Sequence, residues 1–178
     1  MSVNFSDNYF ALFDLPPAMS VDREQLDSRY KALQRELHPD RFVNASDSER
    51  RWSMQATSLV NQARQTLLDP LARAIYLLSL SGIDIDAETD TRMSGDFLMT
   101  QMTLRESLED ARASANPFEE FDGLRRTVHE MSKEIETAFE TAFEAGNLAE
   151  ARDRAREWQF LYKLKAEVDE VESELDEY

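Results

Sequence analysis

The chain has 178 residues, of which 42% are hydrophobic and 31% charged, and this composition is typical of a folded globular protein rather than a disordered one. Its formal net charge of −16 argues against nucleic-acid binding, because a protein that follows a phosphate backbone needs a basic surface. The absence of cysteine excludes disulfides, thiolate nucleophiles and sulfur-ligated metals, and two distant histidines make a histidine metal site improbable.

The N-terminal stretch does not have the pattern of a targeting peptide. It reads MSVNFSDNYFALFDLPP, which has no basic segment and carries two aspartates. Further along, no apolar run approaches the roughly 20 residues that a membrane-spanning helix requires. We therefore expect a cytoplasmic protein that does not insert into a membrane.

Two helices of the N-terminal half follow from apolar residues that recur every three or four positions. The first stripe consists of Leu26, Tyr30, Leu33 and Leu37. The second consists of Ala56, Leu59, Val60, Ala63 and Leu67. Between them lies ELHPDRF, where the proline ends the first helix because the residue before a proline avoids the α conformation. Asp40, or a later serine or aspartate, is expected to cap the second helix.

A third segment of the same half, LARAIYLLSLSG, is short and apolar, and the polar, acidic residues 83–95 follow it as a predicted linker. Three further helical stripes come after the linker. Their members are Phe97, Leu104, Leu108 and Ala111; then Phe121, Leu124, Val128, Met131, Ile135, Ala138 and Ala142; then Trp158, Leu161, Leu164, Val168, Val171 and Leu175. Since nothing alternates with period two, the sequence predicts an all-α fold: an N-terminal helical domain (1–82) and a C-terminal three-helix bundle (96–178).

The His38-Pro39-Asp40 turn has two interpretations. As a helix stop it explains the proline and the aspartate, but it does not explain the basic helix face that leads into it. Lys31 and Arg35 lie nearly opposite the apolar stripe, and Arg41 follows the turn. A basic face in a chain of charge −16 suits an acidic partner. On these grounds alone the structural and the functional interpretation remain open.

Several stretches resemble a J-domain in the order that its helices require: YFALFDLPP, RYKALQRELHPDRF and NQARQTLLDPLARAIYLLSLSG. The sequence resembles one kind of J-protein more closely still, the HscB family, which are the J-type co-chaperones of iron–sulfur cluster assembly. Two further stretches also resemble that family, DPLARAIYLLSLSGIDI and FLMTQMTLRESLEDA. The resemblance covers nearly the whole chain. It implies a J-domain helical hairpin whose exposed turn binds a DnaK-type chaperone (HscA-like) and stimulates its ATP hydrolysis.

The resemblance assigns the chaperone contact to His38, Pro39 and Asp40. It makes the neighbouring side chains supporting contacts, namely Tyr30, Lys31, Arg35 and Arg41. Tyr30 is ambiguous, because its spacing also places it on the core stripe. For this residue we favour a core position with an exposed hydroxyl edge.

The first helix of the C-terminal bundle has more apolar residues than one buried stripe needs. Leu98, Met99 and Met102 lie about 100° to 200° around the helix from Phe97. They either pack on a second buried side or form an exposed patch for a protein partner, which Phe160 could extend. In the HscB family the matching positions bind the iron–sulfur scaffold (IscU-like), with Glu106 at the rim. Thr103 and Gln159 stand where we expect charged residues, which puts the electrostatic contacts of the rim in doubt.

The main interpretation is a non-enzymatic adaptor that brings an iron–sulfur scaffold to its chaperone and binds no cofactor, metal or nucleotide itself. A J-protein with another client is the nearest alternative. A purely structural helical scaffold is a second, and a helical-bundle enzyme comes last, because the chain has no thiol, histidine pair or phosphate-binding glycine loop.

Overall fold

The computed structural model describes residues 3–85 and 94–176, and within these ranges it contains helices and no β-strand, which confirms the all-α prediction. The α-helices are α1 (Tyr9–Leu12), α2 (Arg23–Leu37), α3 (Asp47–Leu68), α4 (Pro70–Leu80), α5 (Gly95–Ala113), α6 (Pro117–Glu144) and α7 (Leu148–Asp176). A short 3-10 helix, Pro39–Phe42, lies between α2 and α3.

The chain divides into two compact units, Met1–Leu77 and Leu78–Tyr178, so the division falls inside α4. The predicted linker, 83–95, lies within the second unit, and its residues 86–93 are outside the described ranges. The domain limits drawn from the sequence therefore stay a prediction.

The first unit is built on an antiparallel pair, α2 and α3. The two helices run antiparallel, since the residues that they bring into contact lie closer in sequence towards the turn: Asp27 with Arg64, Tyr30 with Asn61, and Leu37 with Ser53. The predicted stripes face each other across this pair. Buried members are Leu26, Leu33 and Leu37 from α2 and Ala56, Val60, Ala63 and Leu67 from α3, while Tyr30 and Leu59 are half-buried.

Polar caps fix where these helices begin. The Asp22 side chain accepts the Gln25 N–H at 3.0 Å and starts α2. Ser46 and Glu49 form a capping box at the start of α3, in which each side chain accepts the backbone N–H of the other residue. Among the residues predicted to cap α3, the cap is therefore a later serine, Ser46.

The second unit contains the bundle of α5, α6 and α7, and each of these helices packs against the other two. The stripe of α5 is buried as predicted, and so are most members of the other two stripes. Phe139 is fully buried although the predicted stripe of α6 did not include it. The turn between α6 and α7 is at Gly146, whose φ of +73° favours glycine.

Arg125 joins α6 to α7 through carboxylates of the partner helix. Its Nε donates to Asp169 at 2.9 Å, and its two terminal nitrogens donate to Glu172. The hydrogen bonds to Glu172, and to a smaller extent the bond to Asp169, raise the pKa of the Arg125 guanidinium above its ordinary value. The side chain is 22% exposed, so this ion pair is partly shielded from water.

Candidate functional site

The backbone changes direction sharply at the end of α2. His38 has φ −57° and ψ 133°, and Pro39 then opens the 3-10 helix. The Arg41 N–H donates to the His38 carbonyl at 3.0 Å, and the Asp40 N–H donates to the imidazole Nδ1 of His38 at 3.3 Å. The turn therefore has a defined local geometry that its own residues maintain.

The His38 and Asp40 side chains lie on the surface of this turn. Their side chains are 59% and 86% exposed, and the Nδ1 atom of His38 lies 3.5 Å from a carboxylate oxygen of Asp40. A contact between groups this exposed contributes little to folding stability. The Asp40 carboxylate is thus accessible to a partner, as the resemblance implies.

The basic face next to the turn is exposed as the helical spacing predicts. Lys31, Gln34, Arg35 and His38 line an open concavity of about 470 Å³. The Arg41 guanidinium turns back towards α2, where Nη1 donates to the carbonyl of Arg35 at 3.5 Å. Across the described ranges the cations of Lys31, Arg35 and Arg41 form no ion pair, so this face keeps its positive charge.

Tyr30 is half-buried, and its hydroxyl is engaged within the protein. The hydroxyl donates to the Asn61 side chain at 2.8 Å and accepts from the Gln34 amide at 2.6 Å. The Arg64 guanidinium lies 4.7 Å from the centre of its ring. Tyr30 therefore links α2 to α3, and a contact of its own with a chaperone stays a prediction.

Sequence reasoning missed Ser53, which supports the turn from α3. Its buried hydroxyl donates to the carbonyl of Leu37 at 2.9 Å, in the last turn of α2, where helical carbonyls lack an intrahelical partner. A signal was present in the sequence, because Ser53 precedes Ala56 by three residues and continues the buried stripe of α3. It is a polar residue at a core position.

A groove on the α3 side of the turn was also missed. Its volume is about 550 Å³, and its walls include two exposed apolar side chains, Val43 and Met54. Pro39 and Phe42 form the wall nearest the turn. Neither apolar residue belongs to a helical stripe, so the periodicity gave no indication of this groove.

The second candidate site is the apolar patch, defined by Leu98, Met99 and Met102 of α5 together with Phe160 of α7. The first three are 48%, 64% and 57% exposed, so of the two interpretations that their angles on the helix left open, the structure supports the exposed patch. Phe160 is half-buried, and its ring meets that of Phe97 edge-on at 5.8 Å.

The rim of the apolar patch is polar. Glu106 and Thr103 are exposed, and Gln159 is half-buried. The Arg105 guanidinium lies over the Phe160 ring at 5.8 Å from its centre. Glu106, the predicted rim contact, forms no ion pair with any residue that the structure describes.

Charge differs strongly between the two units. Residues 1–77 carry nine Lys and Arg against ten Asp and Glu, whereas residues 78–178 carry eleven against 26. In the part of the chain that the structure covers, no three His, Asp or Glu side chains gather into a possible metal site. The helices described there are also too short or too polar to cross a membrane.

Comparison with known proteins gives one consistent family. Residues 93–169 match the family model described as the HSCB C-terminal oligomerisation domain. The chain is 41% identical to a co-chaperone protein HscB homolog of Paraburkholderia phymatum, over 93% of this chain and 94% of that protein.

Solved structures agree with the sequence comparison. The chaperone HscB from Vibrio cholerae superposes with a TM-score of 0.82 at 38% identity, covering 95% of this chain and 99% of that one. Human co-chaperone protein HscB gives a TM-score of 0.85 at 32% identity, covering 95% of this chain and 84% of the human one.

Proposed function

The chain belongs to the HscB family of co-chaperones, and on that premise we propose that it is a non-enzymatic adaptor between an iron–sulfur scaffold protein and a DnaK-type chaperone. The first unit would bind an HscA-like chaperone and stimulate its ATP hydrolysis. The second would bind an IscU-like scaffold. Iron–sulfur proteins would mature as a result, in the cytoplasm, with no cofactor held by the adaptor.

The observation that carries the proposal is the exposed His38-Pro39-Asp40 turn at the end of a basic helix face. The turn is maintained by local hydrogen bonds and by Ser53, so it needs no partner to take its shape. The carboxylate of Asp40 is free to accept charge-assisted hydrogen bonds from a chaperone arginine. Lys31 and Arg35 would meet acidic residues of the chaperone.

The apolar patch supports the second half of the proposal. The three side chains that α5 contributes remain about half exposed to water, and burial of the exposed half against a partner would contribute about half of the 1.5–3 kcal/mol that full burial of such a side chain gives. Methionine side chains adapt their shape to a partner surface. The patch is therefore suited to binding another protein.

The testing experiment separates the two activities with one variant in each unit. We expect Asp40→Asn to abolish stimulation of the chaperone's ATPase while scaffold affinity stays within about twofold. Leu98→Ala combined with Met102→Ala should weaken scaffold binding at least about tenfold, which corresponds to roughly 1.4 kcal/mol. This second variant should stimulate the chaperone normally when no scaffold is present, and its melting temperature should change little because both residues are exposed.

Unchanged stimulation by Asp40→Asn at saturating adaptor would contradict the proposed chaperone contact. A melting temperature that falls sharply while scaffold affinity is retained would contradict the proposed patch. Self-association through the same patch is the second candidate, because the matching family model is described as an oligomerisation domain. Sedimentation of the native chain and of the Leu98→Ala, Met102→Ala variant distinguishes self-association from scaffold binding. Only self-association gives the native chain a larger mass in solution than the variant.

A further inference from the structure

Three of the methionines that the structure describes lie on the surface, although methionine is usually among the buried residue types. Met54, Met99 and Met102 are 72%, 64% and 57% exposed, whereas Met19 is buried and Met131 is half-buried. Because the chain has no cysteine, these three thioethers are the most exposed sulfur atoms in the described ranges. Susceptibility to oxidation follows exposure, so an oxidant in solution reaches them before it reaches Met19.

Two of the exposed methionines form the centre of the apolar patch. With about 100° of rotation per residue, Met102 lies about 40° from Leu98 and about 60° from Met99 around α5. Met102 is thus between the other two exposed side chains, and Met99 is one helical turn before it. A partner that covers the patch therefore covers both thioethers.

The reaction of a thioether with a peroxide adds one oxygen atom to the sulfur. The sulfur attacks one oxygen of hydrogen peroxide, an S–O bond forms and the O–O bond breaks. Sulfur loses two electrons in this step, and the second oxygen leaves as hydroxide. The hydroxide takes the proton from the transferred oxygen, so the products are one methionine sulfoxide and one water. Methionine sulfoxide reductases reverse the modification, with one enzyme for each epimer at sulfur.

A sulfoxide changes the patch where a partner would be buried. The new oxygen accepts hydrogen bonds from water, and burial against an apolar partner surface removes those bonds at a cost in free energy. The flexible, apolar thioether, which adapts its shape to a partner, becomes a polar and chiral group. Folding should be affected little, because both side chains are already more than half exposed.

We propose that Met99 and Met102 form a reversible oxidation site that regulates scaffold binding. The reduced patch binds the scaffold, and sulfoxides at both positions prevent binding until they are reduced again. This proposal rests on the proposed function of the patch. Leucine would supply similar apolar volume without a sulfur atom, as Leu98 does in the same patch, so methionine at two central positions makes the surface sensitive to oxidants.

The experiment compares the native chain with Met99→Leu, Met102→Leu, a variant that retains the apolar volume and removes both sulfur atoms. Each protein is treated alone with hydrogen peroxide, and catalase destroys the oxidant before the scaffold is added, so that the scaffold is never oxidised. Mass spectrometry of proteolytic peptides measures the sulfoxide at each methionine. Calorimetry with the IscU-type scaffold of the same organism measures Kd before and after treatment.

We expect peroxide to raise the Kd of the native chain at least about tenfold, because two side chains at the centre of the interface become polar. The leucine variant should bind within about threefold of the untreated native chain and should keep that affinity after peroxide. Treatment with both types of sulfoxide reductase should restore the native Kd. Sulfoxide should form at Met99 and Met102 before it forms at the buried Met19.

The matched control is Met54→Leu, which removes the third exposed thioether. Met54 belongs to α3 in the first unit, where it lines the groove beside the turn. This variant should lose scaffold affinity on oxidation as the native chain does. Met1 and Met93, which lie outside the described ranges, are present in all three proteins, so their oxidation cannot produce a difference between them.

Three results would overturn the proposal and leave the adaptor function standing, provided that untreated Leu98→Ala with Met102→Ala binds weakly. The first is a native chain that carries both sulfoxides and still binds within about twofold of its untreated form. The second is an equal loss of affinity in the leucine variant, which would place the cause elsewhere in the chain. The third is a melting temperature that falls together with the affinity, which would show that oxidation unfolds the bundle.

A separate outcome contradicts the premise. If untreated Leu98→Ala with Met102→Ala binds the scaffold as tightly as the native chain, the scaffold does not dock on the patch. The proposed function of the patch and the proposed oxidation site would then both fail.

Discussion

Removal of the Ser53 hydroxyl should destabilise the first unit. The hydroxyl is buried and donates to the carbonyl of Leu37 at 2.9 Å. Ser53→Ala leaves that carbonyl without this donor at a helix end, where no intrahelical N–H can replace it. An unsatisfied buried polar group costs about 1–3 kcal/mol, so the free energy of unfolding should fall by that amount.

Urea unfolding followed by circular dichroism measures this loss. For a chain of this size, the fall in melting temperature should be about 2–4 °C for each kcal/mol. Ser58→Ala is the matched control, because Ser58 lies on the same helix and is exposed. Both variants gain the same helix propensity, which the comparison therefore removes.

The reasoning would be refuted if Ser53→Ala unfolded within about 0.3 kcal/mol of the Ser58→Ala control, since the two would then differ by less than the smallest net value of a hydrogen bond. The Leu37 carbonyl would in that case be satisfied without Ser53. The turn would depend only on its own residues for its shape.

Two further predictions concern the second unit. Arg125→Gln should lower the free energy of unfolding by about 1–3 kcal/mol, because it breaks charge-assisted hydrogen bonds to Asp169 and Glu172. This loss should be smaller in 1 M NaCl, since salt screens the ion pair. A loss that salt does not change would contradict the ion-pair explanation. Burial raises the pKa of the Glu157 carboxyl, with Arg154 opposing the shift, so the folded chain holds that proton more tightly than the unfolded chain does. The native protein should therefore lose stability relative to Glu157→Gln as pH rises from about 4.5 through the pKa of the folded state. Unfolding curves of both proteins at pH 4 and pH 7 measure the difference in their free energies of unfolding. A difference that is the same at both pH values would contradict the prediction.

The sequence by itself determined the helices and the outward faces that carry the candidate sites. Helical spacing depends on residues three and four apart, so it correctly placed Leu26, Leu33 and Leu37 in the core. The same rule placed Leu98 and Met99 off the core stripe, and the structure then showed that they are exposed. The proline of the turn ended α2 for a reason that acts between adjacent residues.

Only the tertiary structure decided which side chains meet between helices. The bond from Ser53 to Leu37, the bond from Tyr30 to Asn61 and the contact of Arg105 with Phe160 join residues that are 16 to 55 positions apart. Such pairs depend on how two helices are aligned along their axes, and the periodicity of a single helix carries no information about that alignment. For the same reason Tyr30 remained ambiguous in the sequence: its position on the stripe could be predicted, but the Asn61 side chain that engages its hydroxyl comes from another helix.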